Sequence, residues 1–112
     1  MRTLIALVAC VIPCFGQAGN AELFGTILDP SGLPVWNAKV RAENQATMIS
    51  FTALSNERGE YHLLGLPAGR FVLAVEQPGF RAYRQTGIIL AIGDQTALNV
   101  NLEVGSPQSQ AV

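Results

Sequence analysis

Turn-forming residues recur at short intervals along most of this chain, and this spacing is the feature that most constrains its fold. Clusters that contain Gly, Pro, Asn or Asp stand at 29–32, 55–59, 66–69, 78–79 and 93–94. The stretches that separate the strand-like segments are too short for crossover connections, which need a dozen or more residues, so a parallel α/β sheet is excluded. Short strands separated by frequent turns are typical of an all-β sandwich.

Several of these segments alternate apolar and polar side chains with the period of two that marks a half-buried strand. The clearest are 38–43, 70–77 and 95–102. Together with four further segments rich in strand-forming residues, they predict seven strands, at 22–28, 38–43, 48–54, 60–64, 70–77, 81–90 and 95–102. We therefore predict a seven-stranded antiparallel β-sandwich.

The alternation also predicts which side chains form the core. Tyr61 and Phe71 point inward in their strands, and Phe80 folds back onto the core after the turn at 78–79. Gly59 and Gly69 stand where the chain reverses, and a positive φ is accessible to glycine at little cost. We expect these residues to serve the fold rather than a reaction.

The first 18 residues match a secretory leader. Arg2 supplies a positive charge, residues 4–15 are largely apolar, and residues 16–18 place small side chains where signal peptidase reads. The apolar run of 12 residues is shorter than the ~20 that a transmembrane helix needs. We expect cleavage after Ala18, with Ala21 as the alternative, and hence export.

Both cysteines lie in this leader. Residues 7–10 also match a lipoprotein processing box, so lipidation at Cys10 is an alternative, although it leaves an apolar region shorter than the usual ~7–15 residues. Removal of residues 1–18 leaves no cysteine, and therefore no disulfide and no thiolate metal site. The remaining 94 residues carry six basic and eight acidic side chains. Without an excess of Lys and Arg, we expect no nucleic-acid partner.

The residues that usually carry catalysis are scarce and scattered. His62 is the only imidazole, and it alternates with inward residues, so it should point outward without a second metal ligand. Asp29 and Asp94 stand in turns, with calcium binding as the alternative for Asp29. Ser31 and Ser55 have no His or acid at the spacing of a catalytic motif. We expect no enzyme activity and no cofactor.

Trp36 is the first candidate for an interaction surface. It follows Pro34-Val35 in a loop, so the strand alternation does not force its burial. An exposed aromatic ring serves a protein interface or stacks on a sugar, and Tyr83 is the one other ring that could share such a platform with it. Packing of Trp36 against its own loop is the structural alternative.

Phe24 and Leu28 are the second candidate. They share a face of the first strand opposite to that of Leu23 and Ile27. If Leu23 and Ile27 are inside, Phe24 and Leu28 face outward, where apolar side chains indicate coverage by another domain or subunit. Coverage by the tail of the chain itself is the alternative.

Four motifs in this order resemble carboxypeptidase regulatory-like domains. They are Gly25 to Val35 with Ala38-Lys39-Val40, then Asn56 to Tyr61, then Leu66 to Leu73, then Pro78-Gly79-Phe80. The resemblance runs from about Glu22 to Gly105. It places a single domain at 22–104, followed by a linker-like tail over 105–112.

The resemblance implies a transthyretin-like (prealbumin-like) sandwich, grouped with carbohydrate-binding-like folds and not catalytic. Such domains follow some metallocarboxypeptidases and also stand directly after the leader of TonB-dependent outer-membrane transporters. We therefore expect an exported accessory module, periplasmic or associated with the outer membrane, whose partner is a cell-envelope protein or a transporter. The alternatives are a carbohydrate-binding module and a regulatory appendage of a metallocarboxypeptidase.

Overall fold

The computed structural model describes residues 20–105, which form a β-sandwich. The predicted leader (1–18) and all but the first residue of the predicted tail (105–112) lie outside the described residues. The strands are β1 (Ala21–Leu28), β2 (Lys39–Asn44), β3 (Ser50–Leu54), β4 (Glu60–Leu66), β5 (Gly69–Glu76), β6 (Tyr83–Leu90), β7 (Gln95–Ala97) and β8 (Val100–Asn101). No helix that could span a membrane occurs among these residues.

The strands form two four-stranded sheets. In the first sheet β1 is central, with β4 on one side and β7 and β8 on the other. The second sheet has the order β3–β2–β5–β6 and is antiparallel throughout. In the described part of the chain, the two sheets therefore cover opposite sides of a single core.

The core contains the side chains that the alternation placed inside. Leu23 and Ile27 of β1 are fully buried, as are Phe71 and Leu73 of β5, and Tyr61 of β4 is almost completely buried. Removal of such side chains from water is the main favourable term in folding, about 25 cal/mol per Å² of apolar surface. The predicted all-β sandwich is confirmed.

The prediction of seven antiparallel strands was wrong in two details. The predicted strand over 95–102 is divided into β7 and β8, which gives eight strands. Both pieces run parallel to β1, with Leu23 opposite Thr96 and Ile27 opposite Val100. The division follows Leu98 and has a local cause, because the Leu98 carbonyl accepts the Tyr61 hydroxyl and the Thr26 amide of β1 bonds to the Asn99 side chain instead of to a ladder carbonyl.

Three hydrogen bonds hold the break between β7 and β8 against the first sheet. The Leu98 amide donates to the Phe24 carbonyl at 2.8 Å, and the Tyr61 hydroxyl donates to the Leu98 carbonyl at 2.6 Å. The Thr26 amide donates to Asn99 Oδ1 at 3.0 Å. The break is therefore a bonded feature of the sheet and not a frayed end.

Gly25 makes this close approach sterically feasible. A Cβ at this position would overlap the Leu98 carbonyl. Glycine is required at position 59 for two reasons. Its φ is 77°, and a Cβ there would stand 2.6 Å from the Ile27 carbonyl oxygen. Its own carbonyl accepts the Ile27 amide at 2.7 Å.

The start of the third strand also differs from the prediction. Met48 does not open a strand, because it has a φ of 63° in the turn before β3. The turn is organised by Asn44, whose buried Oδ1 accepts the amides of Ala46 and Thr47 at 2.8 and 3.1 Å. A side chain that bonds to nearby amides competes with the ladder and ends the pairing there.

We predict that Gly25→Ala opens the contact between β1 and Leu98. Overpacking of this kind costs about 1–3 kcal/mol of unfolding free energy, and the loss should be concentrated at this contact. Amide hydrogen exchange checks it: the Leu98 amide should exchange much faster, while the Val75 amide in the second sheet changes only as far as global stability does. A Leu98 amide as protected as in the wild type would contradict the role given to Gly25.

We also predict a pH-dependent effect of Tyr61→Phe. Burial, and secondarily the charge of an ionised Tyr83, raise the pKa of the Tyr61 hydroxyl above its ordinary range. Protonated Tyr61 therefore stabilises the fold fully below the unfolded pKa of about 10, and this contribution is lost as the pH rises toward the folded pKa. At neutral pH the variant should lose about 1 kcal/mol.

Urea unfolding of both proteins across alkaline pH measures this contribution. The gap in unfolding free energy between wild type and Tyr61→Phe should shrink above pH ~10. A gap that stays constant over this range would show that the hydroxyl is not the group whose ionisation matters.

Candidate functional site

The residues considered for catalysis serve the turns and the surface. His62 is exposed on β4, with Nε2 3.3 Å from Glu22 Oε1 and its ring edge-on to Phe24 at 5.6 Å. Within residues 20–105, no three His, Cys, Asp or Glu side chains group where they could hold a metal ion.

Asp29 closes the turn that follows β1. Its Oδ1 accepts the Leu33 amide at 3.0 Å, the Ser31 hydroxyl at 2.8 Å and the Ser31 amide at 2.9 Å. The hydrogen bond from the Leu33 amide, followed by that from the Ser31 hydroxyl, lowers the pKa of the Asp29 carboxyl. Asp94 acts similarly, since its Oδ2 accepts the Ala91 amide at 2.8 Å. Both carboxylates are used by their own turns.

Ser55 is buried, and its hydroxyl fixes the loop that carries Trp36. It donates to the Val35 carbonyl at 2.7 Å and accepts the Ala38 amide at 2.8 Å. We call residues 33–38 the Trp36 loop. Because one hydroxyl bonds the backbone on each side of Trp36, the loop is held in place while the indole points away from the core.

Trp36 is 60% exposed, so packing against its own loop leaves most of the ring in solvent. Its carbonyl accepts Gln77 Nε2 at 3.0 Å, which ties the loop to the end of β5. The next residue, Asn37, has a φ of 66° and donates its amide to the Ser55 carbonyl at 2.9 Å. The protein therefore presents a large apolar ring on a bonded support.

A groove of about 730 Å³ opens beside this loop, and we call it the end groove. Its lining combines polar and charged groups with an aromatic ring and includes Asn37, Lys39, Glu76, Gln77, Phe80 and Arg81. Concave sites of about 300–1,000 Å³ with a few polar groups are the usual form of ligand sites. Asn37 and Gln77 belong to both the groove and the support of Trp36.

The last described residues complete this end of the sandwich. The Arg81 amide donates to the Glu103 carbonyl at 2.7 Å, and their side chains form an ion pair at 3.1 Å. The Val104 side chain, directly after Glu103, is 69% exposed. Leu33 in the Trp36 loop is 60% exposed. Leu33, Trp36 and Val104 are thus three exposed apolar side chains in the loops at this end of the sandwich.

Of the other candidates, only Leu28 reaches the Trp36 loop, so the structure does not bring the four together. Tyr83 is half-buried against the core and donates its hydroxyl to Gln85 Oε1 at 2.8 Å. It is therefore a core-side residue rather than a second platform beside Trp36. Phe24 is half-buried in a separate groove of about 540 Å³ on the outer face of the first sheet. Leu28 is half-buried and bridges to Pro34 of the chain's own loop.

Sequence reasoning missed the polar lining of the end groove. Gln77 and Glu76 end the alternating segment over 70–77, next to Pro78-Gly79, and Asn37 directly follows Trp36. The one available signal was a group of polar side chains at the end of a strand, next to a turn. This pattern is too common in proteins to identify a site. Only the packing of two loops that are about 40 residues apart brings these side chains together.

Comparison with known proteins decides the family. The model of the carboxypeptidase regulatory-like domain matches residues 22–103. The chain belongs to this family. A relative, Carboxypeptidase D of Drosophila melanogaster, is 34% identical over 88 residues, which are 78% of this chain and 6% of that protein. This carboxypeptidase regulatory-like domain therefore corresponds to one small part of that relative.

Solved structures show the same fold at low sequence identity. Catechol 1,2-dioxygenase from Acinetobacter aligns with a TM-score of 0.66 and 13% identity, over 88% of this chain and 57% of that one. A Bacteroides uniformis protein assigned as carbohydrate binding aligns with a TM-score of 0.59 and 17% identity, over 73% and 40%. At such identities these neighbours show the sandwich fold alone.

We predict that Ser55→Ala loosens the Trp36 loop. It leaves the Ala38 amide and the Val35 carbonyl without their partner, which should cost about 1–3 kcal/mol of unfolding free energy. Fluorescence anisotropy should show faster motion of the Trp36 ring. Ser50→Ala, at an exposed position of β3, is the matched control and should change stability by less than ~0.5 kcal/mol. Equal effects of the two variants would contradict the role given to Ser55.

Proposed function

We propose that this carboxypeptidase regulatory-like domain is a non-catalytic interaction module of the cell envelope that docks through the Trp36 end. The observation that carries the proposal is the exposed Trp36 ring on a loop whose backbone is held by Ser55 and Gln77. A rigid aromatic anchor binds a partner with little loss of conformational entropy. Tryptophan is also among the residues that most often dominate the energy of an interface.

The surroundings of Trp36 support a protein partner. Leu33 and Val104 add exposed apolar surface at the same end, while the end groove supplies charged groups from Lys39, Glu76 and Arg81. An apolar centre with a polar rim is the usual composition of a protein–protein interface. The predicted leader and the transporter context of the resemblance favour an outer-membrane transporter as that partner.

Site-specific photo-crosslinking in the envelope of the host tests this docking. A photoreactive residue at position 36 should crosslink to one protein of the outer-membrane fraction, and one at Thr52, on the outer face of the second sheet, should not. With the photoreactive residue at Leu33, Trp36→Ala should weaken the complex by about 1–3 kcal/mol, seen as a roughly tenfold or greater loss of crosslinked product.

The outcome separates the alternatives for the partner. A transporter as the crosslinked protein supports the proposal, and a peptidase supports the reading as a regulatory appendage. Equal crosslinking from positions 36 and 52, or a yield at Leu33 that Trp36→Ala does not change, would contradict docking through this end.

Carbohydrate binding at the end groove is the second candidate. It is favoured by an exposed Trp36 next to the Asn37 and Gln77 amides, and by the Bacteroides uniformis neighbour assigned as carbohydrate binding. As the only tryptophan of the chain, Trp36 reports binding by itself. Protection of its fluorescence from acrylamide by soluble glucans or chito-oligosaccharides, without any protein, would favour this candidate over the first.

A further inference from the structure

The outer face of the second sheet concentrates the positive charge of this domain. Lys39 and Arg41 of β2, Arg70 of β5 and Arg84 of β6 all point away from the core on this side, by the alternation of buried and exposed positions. We call these four residues the basic face. Two carboxylates, Glu43 and Glu76, share it. The other described residues hold only two cations and six carboxylates, so the domain is electrically polarised.

The strand register places two arginines on either side of a small residue. Arg41 pairs with Ala74, and Ala74 pairs with Arg84 on its other side. Adjacent strands lie about 4.8 Å apart, so the two Cα atoms are separated by about 10 Å. Ala74 does not fill the space between them. Two arginine side chains thus stand on the same face with an unfilled gap between them.

None of these four cations is neutralised locally. Within residues 20–105 the close contacts between basic and acidic side chains are His62–Glu22 and Arg81–Glu103, and neither involves the basic face. Lys39 stands opposite Glu76 in the register, but at more than ion-pair distance. The Arg41 and Arg84 guanidinium groups make no hydrogen bond within the described part of the chain and are available to an external anion.

Exposed aliphatic side chains stand at two edges of the same face. Leu54 pairs with Lys39 at the β3 edge and is 61% exposed, and Ile89 pairs with Arg70 at the β6 edge and is 66% exposed. A broad surface with separated cations and aliphatic edges fits an extended array of phosphates beside an apolar layer. A single small anion would use only part of this surface, because the four cations are distributed over three strands.

We propose that the basic face binds an anionic lipid bilayer, with the guanidinium groups on headgroup phosphates and Leu54 and Ile89 at the apolar boundary. Guanidinium groups form bidentate hydrogen bonds with phosphate oxygens. Each cation near an anionic membrane surface strengthens binding roughly fivefold. This surface shares Lys39 and Glu76 with the end groove, but Arg41, Arg70 and Arg84 lie outside that groove, so the proposal does not depend on the proposed docking function.

Vesicle sedimentation with the full chain tests the proposal. Binding is compared between phosphatidylcholine vesicles and vesicles that also contain phosphatidylglycerol, and the ratio of the two partition coefficients measures the electrostatic part. Arg41→Gln combined with Arg84→Gln should lower this ratio roughly tenfold or more. Arg58→Glu, in a loop outside the face, makes the same change in net charge and should alter the ratio less than ~twofold.

Each other result overturns the proposal. If Arg58→Glu lowers the ratio as much as the double variant, overall charge and not this face drives binding. If millimolar pyrophosphate, at constant ionic strength, releases the protein from the vesicles, the face takes single phosphate groups. If polyglutamate binds as tightly as the vesicles with the same dependence on Arg41 and Arg84, the partner is an acidic protein. Thermal unfolding of both variants confirms that they are folded.

Discussion

The contact between the Leu98 peptide and β1 is the constraint on which the rest of this sandwich depends. Its amide bonds to β1 at Phe24 and its carbonyl accepts the Tyr61 hydroxyl of β4, which ties both flanks of the central strand together. Because Gly25 lacks a Cβ, the backbone of β1 and the backbone at Leu98 meet without overlap. Two residues further along, Val100 of β8 pairs with Ile27 of β1 and is fully buried in the core.

Local sequence patterns could predict the strands but not this contact. Alternation places Leu23, Ile27 and Phe71 inside, because a period of two is a property of each strand by itself. The division of the last strand at Leu98 and its parallel pairing depend on a residue that is far away in the chain. The Thr26–Asn99 hydrogen bond, for example, joins residues 73 positions apart, and no short window of sequence contains both partners.

The candidate site shows the same limit. Trp36 could be singled out because it lies outside the alternating segments, and the structure leaves it exposed. The direction of the Tyr83 side chain could not be read from the alternation. Gly87 has a positive φ, and the register of β6 shifts near it, so Tyr83 and Gln85 share the inward face with Ile88. An inserted residue moves every later side chain of the strand to the opposite face of the sheet. The end groove could not be predicted either, because it forms only when two distant loops pack together.

The two proposed surfaces are compatible in one orientation. The strands of the second sheet run parallel to the basic face. The loops that join them therefore lie at the edges of this face and do not project from it. A domain that rests on lipid by Arg41 and Arg84 therefore keeps the Trp36 loop beside the bilayer, level with the headgroups. Lys39 lies both on the basic face and in the lining of the end groove, so the two surfaces share an edge. In this orientation lipid binding would restrict the diffusion of the domain to the plane of the membrane. Trp36 would then meet a membrane-protein partner in two dimensions instead of three.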